Sequence, residues 1–268
     1  MFEITIENMD LNQIAGSGQC FRWKKINENT YSIIAFGQYL EISQNKTYFS
    51  LSCREAEWNS IWQSYFDVDT DYTTVKNRIL HANDSYLCKA YHYGNGVRIL
   101  LQDLWEVIVS FMISQNNNIA RITNSIEALC QACALPAGSK GGYRFPKPGE
   151  ASSDILLDKK LGFGYRAEYI HQMYAFAASH PYFLEELKQM SYENAMLCLM
   201  EHKGIGKKVA NCICLFGLHH IDAFPIDTHI QKILDVHYPD GFNYIQYKGI
   251  AGIVQQYMFY YELNKKSE

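Results

Sequence analysis

A short basic turn between two predicted helices constrains the fold of this chain more than any other feature. Between Ser191 and His229, apolar residues recur at helical spacing on both sides of the run KGIGKK at positions 203–208. Two glycines around one apolar residue let the backbone turn sharply and approach a partner closely. We therefore predict two helices joined by a hairpin over residues 192–218.

The hairpin has the chemistry of a phosphate site. Free N–H groups and the positive dipole end of the second helix meet there, and three lysines add positive charge. A tight turn between two core helices with a solvated basic rim is the alternative that this segment alone leaves open. The residues that we predict to bind phosphate are Gly204, Gly206, Lys207 and His229.

Two ionisable residues near the hairpin suggest covalent chemistry at a sugar. Lys208 lies in the first turn of the second helix, where the positive helix end favours the neutral, nucleophilic amine. Asp227 follows Pro225 and is expected to cap the next helix, where a fixed carboxylate can stabilise a developing cation. The pair suits cleavage at an anomeric carbon, whose transition state resembles an oxocarbenium ion. Lys207 is the competing lysine, but it lies about 100° away from Lys208 around the helix.

Composition and charge limit the classes of partner. The chain has 268 residues and a formal net charge of −4. That charge argues against a protein that coats nucleic acid through bulk charge, but it allows a local basic face. No signal peptide or apolar run of transmembrane length is recognisable, so we expect no membrane contact and an intracellular, cytoplasmic location.

The eight cysteines are scattered along the chain, and we expect free thiols. Cys130 and Cys133 have the spacing of metal ligands, but no second pair is spaced to complete a site. Both lie on a predicted amphipathic helix, which favours core packing. We therefore expect neither a metal site nor a cofactor.

The spacing of apolar residues changes along the chain. Strands of an antiparallel meander are predicted at 31–36, 39–43 and 47–51. A helix at 58–66 is expected to cover one face of this sheet, and from Val97 the pattern is helical to the end. The sequence thus predicts an α+β fold, with an N-terminal antiparallel β domain at 1–96 and a helical core at 97–268.

Four other segments have ordinary structural explanations when each is taken alone. Residues 17–19 and 114–118 are typical of turns, residues 161–166 of a loop that opens a helix, and residues 249–263 of an amphipathic terminal helix. An extruded nucleotide, however, leaves a hole in a duplex, and the three asparagines at 116–118 are suited to filling it.

Together these segments resemble the helix-hairpin-helix DNA glycosylase superfamily, and within it the 8-oxoguanine DNA glycosylase/AP lyases. The motifs that carry the resemblance are GIGKKVANC at 204–212, FPIDTH at 224–229, SGQCFRW at 17–23, SQNNNIARI at 114–122 and LGFGYRA at 161–167. The resemblance implies that Lys208 forms a Schiff base and that Asp227 is its acidic partner. It also implies a mainly helical glycosylase core of two subdomains, with the C-terminal helix packed back towards the cleft.

The resemblance assigns a base pocket to four residues. The carbonyl of Gly18 would accept a hydrogen bond from N7–H of 8-oxoguanine, a proton that guanine lacks. Gln255 would bond the Watson–Crick edge of the flipped base. Phe259 and Cys212 would stack on its two faces, and aromatic stacking on a base contributes about 1–3 kcal/mol.

The resemblance assigns a second group of residues to the strand opposite the lesion. Asn116 would fill the hole that the flipped nucleotide leaves, and Tyr165 would wedge beside the orphaned base. Arg121 and Arg166 would contact the estranged cytosine, for which the planar guanidinium fork is well suited.

The implied protein is a monomeric DNA repair enzyme that excises 8-oxoguanine opposite cytosine from double-stranded DNA and then cleaves the strand by β-elimination. In a prokaryote it would be associated with the nucleoid. Two alternatives stay open at this point. A monofunctional glycosylase for alkylated bases shares the fold but needs no lysine at 208, and a non-catalytic helix-hairpin-helix DNA-binding module would not need Asp227 or the Gly18 pocket.

Overall fold

The computed structural model describes residues 1–138 and 141–265. The chain begins with one antiparallel sheet of five strands, which lie in the order β1-β5-β4-β3-β2. The strands are β1 (Phe2–Thr5), β2 (Trp23–Asn27), β3 (Thr30–Ala35), β4 (Gln38–Asn45) and β5 (Tyr48–Leu51). The predicted meander is confirmed as β3, β4 and β5. The first strand extends it beside β5, and β2 extends it beside β3.

The helical segments follow in chain order, apart from one short helix between β1 and β2. They are α1 (Leu11–Ala15), α2 (Glu55–Glu57), α3 (Gln63–Tyr65), α4 (Tyr72–His81), α5 (Ser85–Gly94), α6 (Leu104–Ser114), α7 (Ile119–Cys133), α8 (Ser153–Leu156), α9 (Ala167–Ser179), α10 (Phe183–Gln189), α11 (Tyr192–Met200), α12 (Lys207–Phe216), α13 (Thr228–His237) and α14 (Ala251–Asn264). The predicted α+β class, with a helical core beside an N-terminal sheet, is confirmed.

One face of the sheet is covered by aromatic side chains. The helix predicted at 58–66 forms, but it contains a π-helical turn at Trp58–Trp62 between α2 and α3. Trp62 and Phe66 are fully buried against inward-facing strand residues such as Ile33 and Leu40. The apolar alternation along the strands therefore determines which face of the sheet is covered.

A larger core is built mainly from helices. Helices α6 and α12 pack together at its centre, and α5 packs along α14. Helices α4 and α5 precede residue 97, yet their apolar residues belong to this core. The division of the chain at residues 96 and 97 stays a prediction. Within the described residues, no helix combines the length and apolar character needed to span a bilayer.

A buried arginine connects the sheet to the helices. Arg22 precedes β2, and its Nε donates to Glu127 of α7 at 3.1 Å. Glu106 of α6 lies 4.0 Å from the same guanidinium. Burial raises the pKa of Glu106 to about 7, and the charge of Arg22 opposes that rise. The ion pairs fix the orientation of the sheet, and hence of the loop that precedes β2, relative to the helical core.

Candidate active site

The hairpin between α11 and α12 has the geometry predicted from its glycines. Ser191 caps α11, as predicted, and its side chain accepts from the Asn194 amide at 3.3 Å. Gly204 has a φ of +88° and packs so closely on Tyr169 that a Cβ would lie 2.7 Å from that ring. Gly206 is the N-cap of α12, and no described atom lies within 4 Å of the position of a Cβ there. Gly206 has no side chain to cap the N–H groups at the start of α12, so they are available to a phosphate.

The two lysines that begin α12 face different surroundings. Lys207 is exposed, whereas Lys208 is half-buried and lines a cavity. The Nζ atom of Lys208 lies 5.4 Å from the centre of the Phe111 ring. The structure thus places the amine of Lys208, and not that of Lys207, at the wall of a cavity.

Asp227 is held at the opposite wall by the cap that the sequence predicts. Asp227 is the N-cap of α13, and its side chain accepts a hydrogen bond from the backbone amide of Ile230 at 2.9 Å. The preceding loop is fixed to α12 by Asn211, whose buried Oδ1 accepts from the amide of Phe224 at 3.3 Å and from Tyr192 Oη at 2.6 Å. Asn211 sets the distance between the Lys208 helix and the Asp227 loop, a role that the sequence analysis missed.

All six residues predicted for catalysis and for the base pocket line one cavity. It is enclosed by Gly18, Phe111, Lys208, Cys212, Phe216, Pro225, Asp227, Gln255, Gln256 and Phe259. Burial raises the pKa of the Cys212 thiol to about 11. The thiol is therefore neutral at physiological pH and does not compete with a lysine as a nucleophile. Apolar walls with a few converging polar groups are typical of a ligand site.

Gly18 is held in place by the side chain of its neighbour Gln19. Its φ of +73° requires glycine-like freedom, and a Cβ would lie 2.9 Å from the Phe259 ring. The side-chain Nε2 of Gln19 donates to the backbone carbonyl of Arg98 at 2.9 Å, and its Oε1 accepts from the backbone amide of Leu100 at 2.8 Å. Gln19 fixes the Gly18 turn to the helical core, and the pattern of apolar residues gave no signal for it.

Two exposed segments lie beside the hairpin, and we call residues 115–118 and 164–166 the wedge loops. Asn116 is exposed with a φ of +46°, directly after the end of α6. Its Nδ2 lies 3.4 Å from the hydroxyl of Tyr165, whose side chain is 55% exposed. Arg121 is exposed in the first turn of α7. These three predicted opposite-base residues are therefore accessible to a duplex.

Arg166 differs from the other three because its guanidinium is turned inward. It is 7% exposed, and it donates to the backbone carbonyls of Gln115, Asn116 and Phe163. In this arrangement Arg166 orders the loop that carries Asn116. Its predicted contact with cytosine requires those bonds to break, and that contact stays a prediction.

A glutamine links the wedge loops to the hairpin. The Nε2 atom of Gln115 donates to the Gly204 carbonyl at 2.8 Å and to the Met112 carbonyl at 3.0 Å. His229 is exposed at the start of α13, where its ring meets Phe259 edge-on at 6.0 Å. The predicted phosphate-binding residues, the wedge loops and the mouth of the cavity thus form one continuous surface.

Comparison with known proteins agrees with this geometry. The family model of the 8-oxoguanine DNA glycosylase N-terminal domain matches residues 1–108. The structure of MBOgg1 in complex with a low-affinity DNA ligand is 31% identical, with a TM-score of 0.90 over 97% of this chain and 94% of that one. The Clostridium acetobutylicum 8-oxoguanine glycosylase/lyase, bound to DNA with cytosine opposite 8-oxoguanine, is 30% identical, with a TM-score of 0.84 over 95% and 92% of the two chains.

A curated relative covers a similar stretch. The N-glycosylase/DNA lyase of Saccharomyces cerevisiae is 30% identical in an alignment of 259 positions that covers 83% of this chain. This chain spans 66% of the length of the yeast protein. The matches to the solved structures extend over nearly the whole of both chains and include the sheet, the hairpin and the cavity. The chain belongs to the 8-oxoguanine DNA glycosylase/lyase family of the helix-hairpin-helix superfamily.

Proposed function

We propose that this protein excises 8-oxoguanine opposite cytosine from double-stranded DNA and then cleaves the DNA at the resulting abasic site. The observation that carries the proposal is one cavity that contains a lysine amine, a capped carboxylate and the four residues assigned to the base pocket. The family, and the glycosylase/lyase activity for which its compared members are named, support the same reaction.

Excision begins when the damaged nucleotide leaves the duplex and enters the cavity. Lys208 Nζ attacks C1′ of the sugar while the bond from C1′ to the base nitrogen breaks, and the base leaves with the bonding electrons. Positive charge develops on the sugar, and the carboxylate of Asp227 stabilises it. The hydrogen bond from Ile230 to Asp227 keeps the carboxylate in place during the reaction.

Strand cleavage follows from the covalent intermediate. Opening of the sugar ring gives a Schiff base between Lys208 Nζ and C1′. Loss of a proton from C2′ and cleavage of the C3′–O bond then release the downstream strand with a 5′ phosphate, which is β-elimination. Each step uses only the amine, protons and water, so the proposed reaction needs no cofactor.

The remaining parts of the surface would hold the duplex. The start of α12, with Gly204, Gly206 and Lys207, would bind backbone phosphate together with His229. Asn116 and Tyr165 would occupy the space that the flipped nucleotide leaves, and the two predicted arginines would contact the cytosine. One copy of the chain contains all of these parts, so we propose a monomer, which in a prokaryote acts at the nucleoid in the cytoplasm.

The test compares three duplexes that differ at one base opposite cytosine. Single-turnover excision and strand cleavage are measured for 8-oxoguanine, guanine and an alkylated adenine. We expect excision of 8-oxoguanine followed by strand cleavage, and little attack on guanine. Excision of the alkylated base without strand cleavage would instead indicate a monofunctional glycosylase, and duplex binding without any excision would indicate a DNA-binding module.

A further inference from the structure

The base pocket contains one polar side chain, Gln256, that has no assigned role. It follows Gln255 on α14 and lines the same cavity. Adjacent residues of a helix normally face different directions. Here the two amides meet, because Nε2 of Gln256 donates to Oε1 of Gln255 at 3.1 Å. Both side chains are buried, each with 3% of its area exposed.

A backbone carbonyl determines the orientation of both amides. The oxygen and nitrogen of an amide are assigned from their hydrogen-bond partners. The carbonyl of Pro225 can only accept, so Gln255 turns its Nε2 towards it, at 3.0 Å. The Oε1 atom of Gln255 then faces Gln256, which must present its own Nε2. The oxygen of Gln256 is therefore the atom at the end of this chain of hydrogen bonds.

That oxygen has no partner of its own. Oε1 of Gln256 is buried and accepts no hydrogen bond from any residue within 1–138 and 141–265. A buried acceptor without a donor is unfavourable, and native folds retain few of them. At the wall of a ligand cavity, such an atom is suited to a donor supplied by the ligand.

We propose that Gln256 is a specificity-determining residue whose Oε1 accepts a hydrogen bond from the exocyclic 2-amino group of a guanine-type base. The inference rests on the proposed function. The N1–H and 2-amino donors are neighbours on the Watson–Crick edge of 8-oxoguanine. The amide oxygens of Gln255 and Gln256 would supply two acceptors for this pair of donors, and the first of them also accepts from Nε2 of Gln256 at 3.1 Å.

The same arrangement disfavours adenine-type lesions. An adenine ring presents an acceptor at N1 and no donor at C2. With such a base in the cavity, Oε1 of Gln256 stays unpaired and the Gln255 oxygen faces another acceptor. A site built to pair with a donor rejects a ligand that lacks it more strongly than an apolar site does. Gln256 therefore adds selection on the 2-amino group to the selection on N7–H expected from Gly18.

The experiment is a double-mutant cycle between Gln256 and the 2-amino group. Single-turnover excision is measured on a duplex with 8-oxoguanine opposite cytosine, and on the same duplex with 8-oxohypoxanthine, which lacks only the 2-amino group. The proteins are the wild type, Gln256→Met and Gln256→Ala. The control is Gln231→Met, an exposed glutamine on α13 outside the cavity. Borohydride trapping on abasic duplex DNA gives the active fraction of each protein.

We expect Gln256→Met to lower excision of 8-oxoguanine about tenfold, the value of one hydrogen bond to a buried group. The same variant should change excision of 8-oxohypoxanthine less than twofold. The ratio of the 8-oxoguanine rate to the 8-oxohypoxanthine rate should therefore fall in Gln256→Met, and it should also fall in Gln256→Ala. Gln231→Met should leave that ratio unchanged. Equal losses on both substrates, or no loss on either, would overturn the proposal. Wild-type protein that excises neither base would instead contradict the proposed function itself.

Discussion

The base pocket and the wedge loops differ in how their polar groups are presented. The pocket brings together parts of the chain that are far apart in sequence, from Gly18 to Phe259, around mostly apolar walls. The wedge loops expose Asn116 and Tyr165 and are ordered by hydrogen bonds to their backbone carbonyls. Cleavage of a glycosidic bond needs fixed charges away from water, whereas insertion into a duplex needs exposed donors. Function in the pocket should therefore depend on single atoms, and function in the loops on groups of residues.

The largest effect is expected from the charge of Asp227. Asparagine is also a good N-cap, so Asp227→Asn keeps the start of α13 while removing the carboxylate charge. Single-turnover excision of 8-oxoguanine should fall at least a hundredfold, since such electrostatic stabilisation contributes about 3 kcal/mol or more. Asp235→Asn, on the exposed side of the same helix, should leave excision unchanged. Near-normal excision by Asp227→Asn would remove this carboxylate from the mechanism.

A single methyl group at Gly18 tests the shape of the pocket. Gly18→Ala places a methyl 2.9 Å from the Phe259 ring at a backbone angle that favours glycine. Gly37→Ala is the matched control, because Gly37 has a φ of +74° in the turn between β3 and β4, where the flexible Arg144 side chain is the only close neighbour among the described residues. Both variants should lose about 1–2 kcal/mol of unfolding free energy from the left-handed backbone angle, and the contact with Phe259 should add to the loss in Gly18→Ala. Only Gly18→Ala should lose excision, by tenfold or more; equal excision by the two would make Gly18 an ordinary turn residue.

Variants of the two arginines assigned to the opposite strand distinguish a residue that positions the wedge loop, Arg166, from one that only contacts DNA, Arg121. Arg166→Met leaves the carbonyls of Gln115 and Asn116 without their donor, so unfolding free energy should fall by about 1–3 kcal/mol. Arg121 is exposed, so Arg121→Met should leave the stability unchanged. Both variants should bind a lesion duplex with cytosine opposite the lesion several-fold more weakly than the wild type does. Titrations of each protein with duplexes that carry each of the four opposite bases measure this loss and show whether it is confined to cytosine. An unchanged stability of Arg166→Met would show that its inward hydrogen bonds do not order the loop.

The smallest effect is expected in the dependence of duplex affinity on salt concentration. The protein is acidic overall, with a formal net charge of −4, and the lysines at the hairpin form a local basic region. The logarithm of duplex affinity should fall with the logarithm of salt concentration, with a slope that corresponds to only a few phosphates. Lys207→Gln should reduce that slope by about one, whereas the rate of excision from bound duplex should not change. Affinity that is independent of salt would exclude phosphate contacts by the hairpin.

Much of the architecture follows from local patterns in the sequence. Spacing of apolar residues indicates the helices beside the hairpin, and N-cap preferences correctly place Ser191 and Asp227. The edge strands β1 and β2 were not predicted individually, because neither contains a fully buried residue. The π-helical turn at Trp58–Trp62 has no signal in the spacing of apolar residues, and both of its tryptophans are buried in the core under the sheet.

The site was predictable as a set of residues but not as a network. The resemblance identifies six of the ten residues that line the cavity, because reaction chemistry restricts which residue types can occur there. They do not show that Arg166 points inward or that Gln115 bonds the hairpin carbonyl at 2.8 Å. Those contacts join a side chain to the backbone of a distant segment. Neither periodicity nor helix-capping preference carries that information, so only the fold reveals them.

The covalent step provides the most direct test of the central claim, that the amine of Lys208 attacks the sugar inside the base pocket. Wild-type protein, Lys208→Gln and Lys207→Gln are each incubated with duplex DNA carrying 8-oxoguanine opposite cytosine, in the presence of borohydride. We expect a trapped protein–DNA complex with the wild type and with Lys207→Gln, and none with Lys208→Gln, which should still bind the duplex. Trapping by Lys208→Gln, together with its loss in Lys207→Gln, would contradict the account and assign the chemistry to the exposed lysine.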